Sequence, residues 1–147
     1  MDARNHLVLE TSAVAENVGV VRLCAAAFAA QGPFSVAEVE EIKVAVSEAA
    51  TNVVLHAYPD GAGAIRLRGW LREDTVEFWV EDDGVGIADL AAARARASEN
   101  PERMGMGFAF MESFMHEVAV ESGAGQGTRV RMVKKAEEAR AQAHGSA

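Results

Sequence analysis

A carboxylate and a carboxamide stand one helical turn apart near the middle of this chain. Glu48 and Asn52 fall in the segment 41–58, where apolar residues recur at helical spacing and predict one buried face. Both polar residues follow a stripe beside that face, so their side chains should project together from its edge. At such an edge an acid can accept a proton and an amide oxygen can bind a hard cation. A solvated polar stripe is the alternative interpretation of this helix taken by itself.

A second acid, Asp82, ends a predicted strand. Apolar residues occupy every second position of the segment 76–80, and Asp82 is in step with them. Its side chain should therefore point toward the core, where an unpaired ionised carboxylate is costly and needs a hydrogen-bonding partner. A ligand can be that partner. Gly84 and Gly86 follow directly and would let the backbone approach a ligand closely.

The segment 105–108 reads Gly-Met-Gly-Phe and is predicted to open a helix that runs to about Phe114. Exposed backbone amides at such a helix start would suit a phosphate group. Taken alone, Gly-x-Gly before a helix is weak evidence, and a steric reason for the glycines is the stronger interpretation. Thr128 follows a glycine-rich turn at the start of the last predicted strand.

The hydrophobic pattern predicts the elements that would position these residues. Helices are predicted over about 12–31, 35–58 and 105–114, and strands over about 6–11, 65–71, 76–82, 117–122 and 128–133. Ser12 is expected to cap the first helix, and Ser35 and Glu38 form a capping box for the second. The segment 88–100 is interpreted as a connection. From Lys134 onward the chain is charged and alanine-rich, which is typical of a frayed tail.

Composition indicates one globular domain with a real core. The chain has 147 residues, 50% of them hydrophobic, a formal net charge of -8 and a pI near 5.0. An acidic chain does not suit nucleic acid, whose phosphates need clustered Lys and Arg, and it suits a basic partner better. The single cysteine, Cys24, excludes an internal disulfide, and no apolar run suits a signal core or a membrane span. We therefore expect a cytoplasmic protein with one domain over 1–135 and a polar tail over 136–147.

The three motifs occur in a fixed order that is more specific than any one of them. Glu48-x-x-x-Asn52 on a helix, Asp82-x-Gly84-x-Gly86 after a strand and Gly105-x-Gly107 before a helix together resemble the ATP-binding elements of the GHKL superfamily. This is the Bergerat fold of histidine kinases, gyrase, Hsp90 and MutL, and the resemblance covers roughly residues 6–134. The segments 41–52 and 105–115 indicate one family within this superfamily. They closely resemble the sporulation anti-sigma F factors, which are serine protein kinases.

The resemblance implies a fold and a ligand. The expected class is α+β, a two-layer α/β sandwich whose mixed, mostly antiparallel sheet has four strands and is covered on one face by helices. ATP or ADP would lie between the helices and a lid. The connection between Gly86 and Gly105 is shorter than expected for the family and lacks its paired threonines, so the lid contacts are left open.

The resemblance also assigns roles to individual residues. Glu48 is implied as the general base and Asn52 as a ligand of Mg²⁺, while Asp82 would accept a hydrogen bond from the adenine amino group. The other implied contacts are Gly84 and Gly86 against the base, Thr128 near the adenine, and Arg103, Gly105, Met106, Gly107 and Phe108 at the phosphates. Arg94 and Arg96 are rivals of Arg103 for the terminal phosphate.

Partners are implied in the same way. Members of this family form homodimers, hold sigma factor F away from RNA polymerase and phosphorylate a serine of an anti-anti-sigma factor. Arg22 matches a family arginine that contacts both proteins, and a solvated helix arginine is the alternative. Two further hypotheses stay open: an anti-sigma kinase for a stress-response sigma factor, and an ATP-dependent module that sequesters a sigma factor without transferring phosphate.

The histidines carry little of this argument. His56 follows the stripe of Glu48 and could approach the site, although a boundary histidine with satisfied hydrogen bonds is the favoured interpretation. None of the four histidines pair at metal-ligand spacing, so a structural metal is not expected.

Overall fold

A computed structural model describes residues 3–87 and 108–137, which form one sheet with helices packed on one face. The strands are β1 (Asn5–Ser12), β2 (Ala64–Leu71), β3 (Thr75–Asp82), β4 (Glu117–Ser122) and β5 (Thr128–Lys135). The helices are α1 (Glu16–Ala29), α2 (Val36–Asn52) and α3 (Phe108–Phe114), and a π-helical turn (Val53–Ala57) continues α2. The predicted α+β class is confirmed. None of the helices in the described ranges is long and apolar enough to cross a bilayer.

The sheet has five described strands in the order β1-β2-β3-β5-β4, and all neighbours pair antiparallel. The residue pattern predicted these five strands, whereas the family resemblance implied a mixed sheet of four. β1 forms one edge of the sheet and pairs with β2 along its whole length, from Asn5 opposite Leu71 to Ser12 opposite Ala64. β3 lies in the middle of the sheet, so its carboxyl end is enclosed by neighbouring elements.

The two long helices begin differently from each other. α2 starts with the predicted capping box, because Oγ of Ser35 accepts from the amide of Glu38 at 3.1 Å and Oε1 of Glu38 accepts from the amide of Ser35 at 2.9 Å. The cap predicted for α1 was wrong. Ser12 is the last residue of β1, and Ala15 precedes the helix without a side-chain cap. Strand pairing therefore takes Ser12 away from the helix start.

The apolar face predicted for α2 packs on the sheet. Ile42, Val46, Ala49 and Val53 are buried in the core, which confirms the helical periodicity of this segment. β3 supplies every second residue to the same core, among them Phe78, which meets Phe28 of α1 edge to face. The packing of α2 on the sheet therefore sets their relative position, and both elements contain predicted site residues.

The end of α2 departs from the single helix predicted over 35–58. An α-helix stops at Asn52, and residues Val53–Ala57 continue it as a π-helical turn. In an α-helix, a step of four residues rotates slightly more than one full turn. In a π-helical turn, where the hydrogen bonds run from i to i+5, the same step rotates slightly less than one full turn. The π-helical turn therefore brings His56 back toward the line of Glu48 and Asn52.

The strand β5 runs two residues further than predicted. Lys134 was expected in a charged tail, but it is a buried strand residue with 5% exposure. Its ammonium group donates to the carbonyl of Phe114 and lies 3.5 Å from Oε1 of Glu41. These contacts stabilise a buried charge and join the end of α3 to α2. Most of the predicted tail, residues 138–147, lies outside the described residues.

Candidate functional site

A cavity lies between the end of α2 and the adjoining ends of β3 and β5. Its walls are mainly apolar, with a few polar groups directed into it, which is the usual character of a small-molecule site. The residues that line it are Ala49, Asn52, Val53, His56, Ala57, Val80, Asp82, Gly86, Ile87, Phe108, Thr128 and Val130. Five predicted site residues meet here, namely Asn52, Asp82, Gly86, Phe108 and Thr128.

Asp82 is the buried acid of this cavity. Its exposure is 7%, and it lines the cavity together with Val80, so the predicted inward direction of its side chain is confirmed. Burial raises the pKa of Asp82, and hydrogen bonds from the backbone amides of Gly84 and Thr128 partly oppose that rise. The amide of Gly84 donates to Oδ1 at 2.9 Å. The sequence predicted that Asp82 needs a hydrogen-bonding partner and that a ligand can be this partner. The structure shows that backbone amides of the chain already supply some of these hydrogen bonds.

The raised pKa of Asp82 predicts a pH-dependent stability. A carboxyl group whose pKa is raised on folding contributes stability in acid, and that contribution is lost as the pH rises through its folded pKa. We expect wild type to lose unfolding free energy relative to Asp82→Asn as the pH rises above about 4, the region of an ordinary aspartate pKa. Urea unfolding of both proteins across this pH range measures the difference. A difference that stays constant with pH would contradict the burial of an ionised Asp82.

Glu48 and Asn52 lie one turn apart on α2, as predicted. Asn52 lines the cavity, and its Oδ1 atom is buried. Glu48 is half-buried and is not among the residues that line the cavity. Its place beside Asn52 suits a group that acts at the margin of a bound ligand, and its role as general base stays a prediction.

The loop 83–87 after β3 is held by backbone hydrogen bonds on both sides. The amide of Val85 donates to the carbonyl of Ala57 at 2.9 Å, and the amides of Gly125 and Gly127 donate to the carbonyls of Val85 and Gly84 at 2.7 and 3.0 Å. A Cβ on Gly84 would lie 2.1 Å from the carbonyl oxygen of Ala57. Gly84 therefore allows the loop to approach the end of the π-helical turn closely. Its contact with a ligand stays a prediction.

Gly127 has a left-handed backbone conformation and lies close to the backbone of Asp82. Its φ is +73°, and a Cβ there would lie 2.2 Å from the carbonyl oxygen of Asp82. Gly125 has nearly the same φ, +72°, but a Cβ there would meet nothing within 4 Å. We expect Gly127→Ala to lower the free energy of unfolding by several kcal/mol, more than the roughly 1–2 kcal/mol of left-handed strain alone.

Gly125→Ala is the matched control for this substitution. It should carry the backbone strain without the clash, so its loss in urea unfolding should be clearly smaller. Equal losses for the two variants would show that the contact between Gly127 and Asp82 is not a constraint on the fold.

Several predicted phosphate contacts lie outside the described residues. These are Arg103, Gly105, Met106 and Gly107, together with the rival arginines Arg94 and Arg96. Phe108 is the first described residue after this gap, is 5% exposed and opens the described part of α3. The helix predicted to reach Phe114 does end there. The roles of the undescribed residues stay predictions.

Arg22 occupies a different part of the molecule. It is a half-buried residue of α1 and is not among the residues that line the cavity. Its neighbours Val20 and Leu23 are exposed apolar residues, at 43% and 59%. A contact with a partner protein stays a prediction for this residue.

The described residues offer oxygen ligands but no ready-made metal site. Within 3–87 and 108–137 no group of three or more His, Cys, Asp or Glu side chains could hold a metal ion. The buried amide oxygen of Asn52 is a hard ligand of the kind that Mg²⁺ accepts, and Mg²⁺ commonly takes most of its other ligands from phosphates and water. The donor set fits a magnesium ion that is bound together with a nucleotide.

Sequence reasoning missed part of the site. The apolar wall residues Ala49, Val53, Val80, Ile87 and Val130 were assigned to the core or not considered. Ala49 lies three residues before Asn52 on α2, and Val80 and Val130 lie two residues from Asp82 and Thr128 on β3 and β5. The helical and strand periodicities could therefore have found these three.

The chain matches a known family of ATPase domains. A family model described as histidine kinase-like ATPase domain matches residues 11–134. This span includes every predicted site residue from Arg22 to Thr128. An ATPase domain implies ATP binding, which agrees with the acidic and amide groups in the cavity.

Several anti-sigma F factors share much of the sequence. An anti-sigma F factor of Caldanaerobacter subterraneus subsp. tengcongensis is 40% identical over 139 residues, which are 91% of this chain and 96% of the relative. Anti-sigma F factors of Pasteuria penetrans and Geobacillus kaustophilus are 43% and 42% identical, covering 93% and 89% of this chain and 95% and 92% of theirs.

Solved structures share the fold. The histidine kinase domain of a blue-light activated histidine kinase from Erythrobacter litoralis has a TM-score of 0.56 and 22% identity over 84% of this chain. A structure of the RsbU and RsbW domains of a Mycobacterium tuberculosis protein has a TM-score of 0.65 and 20% identity over 89% of it. The chain spans 61% and 32% of those two longer proteins. At such identities the likeness concerns the fold, and it supports the expected Bergerat architecture.

Proposed function

The chain belongs to the histidine kinase-like ATPase family and, within it, to the anti-sigma F factors, and on that premise we propose that it is an anti-sigma factor with serine kinase activity. It binds and inhibits sigma factor F in the cytoplasm. It uses Mg-ATP to phosphorylate a serine of an anti-anti-sigma factor and acts as a homodimer. This activity would control transcription at sporulation, and the domain that carries it spans residues 1–135.

One observation carries the proposal. A buried acid, Asp82, lines the same cavity as Asn52 and Thr128. An acid kept in a mostly apolar cavity, with a raised pKa, is costly to the fold and indicates a functional site. Its acceptor oxygens suit the amino group of adenine.

In the proposed mechanism, residues of the sheet bind the base, and residues of α2 bind the metal and accept the proton. Phosphoryl transfer asks the protein mainly to align the reacting groups and to neutralise charge. Asp82 and Thr128 orient the base, and Asn52 holds the metal, which when bound neutralises phosphate charge. Glu48, one turn before Asn52, accepts the proton of the partner's serine hydroxyl.

A transfer assay tests this function. The full chain is incubated with ATP labelled on its terminal phosphate, Mg²⁺ and a candidate anti-anti-sigma factor, and the label is located by mass spectrometry. We expect label on one serine of the partner protein, and its loss when that serine is replaced by alanine. ATP binding without transfer to any candidate would instead favour a module that sequesters a sigma factor without kinase activity.

A second assay identifies the sigma factor. Purified sigma factor F and a stress-response sigma factor compete for the chain in the presence of ATP. We expect sigma factor F to be retained. Preferential retention of the stress-response sigma factor would contradict the assignment to sporulation while leaving the ATP site untouched.

A further inference from the structure

The hydroxyl group of Ser122 joins three segments around the cavity. The amide of Ile87 donates to Oγ of Ser122 at 2.7 Å, and this Oγ donates to the carbonyl of Gly127 at 3.0 Å. The Oγ1 atom of Thr128 lies 2.8 Å from the same Oγ. Ser122 and Thr128 are also cross-strand partners at the end of the β4–β5 pair. A single hydroxyl thus contacts the loop after β3, the β4–β5 turn and a residue of the cavity wall.

Counting hydrogens fixes the direction of these bonds. A serine hydroxyl has one hydrogen to donate and two positions that accept. The amide of Ile87 can only donate, and the carbonyl of Gly127 can only accept, so the hydrogen of Ser122 goes to Gly127. The remaining contact must then be donated by the hydroxyl of Thr128. The hydrogen of Thr128 is therefore directed away from the cavity.

This assignment decides what Thr128 offers to a ligand. With its hydrogen directed to Ser122, Oγ1 of Thr128 presents only lone pairs to the cavity. Asp82 is the cross-strand partner of Thr128 and lines the same cavity, and its ionised carboxylate is likewise an acceptor. Two adjacent acceptors favour a ligand group that donates, such as the exocyclic amino group of adenine. They disfavour the carbonyl that guanine carries at the same ring position.

We propose that Ser122 is a positioning residue that sets the preference for adenine over guanine by holding the Thr128 hydroxyl as an acceptor. The inference rests on the proposed function, because it assumes that the cavity holds the base of a nucleotide. Ser122 is half-buried and does not line the cavity, so it acts through Thr128.

The test compares the affinities for ATP and GTP, measured by calorimetry on the full chain with Mg²⁺. Ser122→Ala frees the Thr128 hydroxyl to rotate and to donate to a guanine carbonyl. We expect the ratio of ATP to GTP affinity to fall about tenfold, the effect of roughly one hydrogen bond. Ser122→Thr keeps the hydroxyl and should keep the ratio.

A structural role alone would give a different result. Ser122→Ala also leaves Ile87 and Gly127 without a partner, which would loosen the site and weaken both nucleotides alike. An unchanged ratio with two weaker affinities would therefore overturn the inference. Should Ser122→Ala fail to fold, Ser122→Cys serves in its place, because a thiol keeps the shape but is a weak hydrogen-bonding group.

Thr128→Val completes a double-mutant cycle. If Ser122 acts through the Thr128 hydroxyl, then Ser122→Ala should leave the ratio unchanged in the Thr128→Val background. A tenfold fall in that background as well would overturn the proposed route. A wild-type chain that binds neither nucleotide would overturn the proposed function itself, whereas tight ATP binding with an unchanged ratio overturns only the role of Ser122.

Discussion

Glu48→Gln is expected to lower phosphoryl transfer by about 10²-fold or more, the usual contribution of a general base, while ATP affinity stays near that of wild type. Glutamine keeps the size and much of the polarity of glutamate but cannot accept a proton from a serine hydroxyl at neutral pH. Glu48 does not line the cavity, so its replacement should leave the base site intact. Single-turnover transfer to the anti-anti-sigma factor measures the rate, and calorimetry measures the affinity.

Glu40→Gln is a suitable control for this experiment. Glu40 lies on the same helix but is exposed and pairs with Lys43 at 3.2 Å. An exposed pair of this kind contributes little, so the control should keep its activity. If Glu48→Gln transferred phosphate as fast as Glu40→Gln, Glu48 would not be the base.

Asp82→Asn is expected to weaken ATP binding by about 10- to 100-fold, since a hydrogen bond to a charged group contributes roughly 1.5–3 kcal/mol. Oδ1 of Asp82 already accepts from the amide of Gly84. An asparagine would keep its oxygen on that amide and direct its amide nitrogen, a second donor, toward the adenine amino group. Calorimetric titration with ATP and Mg²⁺ measures the change.

The neighbouring acid supplies the control for Asp82→Asn. Asp83 is exposed, and its carboxylate pairs with Arg66 at 3.2 Å. That hydrogen bond with Arg66 lowers the pKa of Asp83, the opposite of the shift at Asp82. Asp83→Asn should therefore bind ATP as wild type does. Equal losses for the two variants would mean that general charge, and not a contact inside the cavity, controls the affinity.

The parts of the fold that follow strict periodicity could be predicted from the sequence. Alternation along β3 placed Asp82 on the inner face, and the spacing of Ser35 and Glu38 gave the start of α2. The same alternation extended along β5 would also have placed Lys134 inward, in step with Val130 and Met132. The charge of the lysine suggested a solvated tail, because a buried charge requires distant partners that the local sequence does not reveal.

Other features depend on contacts that no local pattern encodes. The π-helical turn Val53–Ala57 has the same apolar periodicity as a short α-helical turn, so it could not be distinguished from one. The need for Gly84 arises from Ala57, and the need for Gly127 arises from Asp82. Ser122 could have been found, since predicted strands over 117–122 and 128–133 joined by a five-residue turn make Ser122 the cross-strand partner of Thr128.

A crystal structure of the full chain with Mg²⁺ and a non-hydrolysable ATP analogue would show whether the cavity binds the adenine of a nucleotide. We expect the adenine in the cavity, with its amino group at hydrogen-bond distance, about 3 Å, from the carboxylate of Asp82. A nucleotide bound elsewhere on the molecule, or an adenine whose amino group is directed away from Asp82, would contradict this expectation.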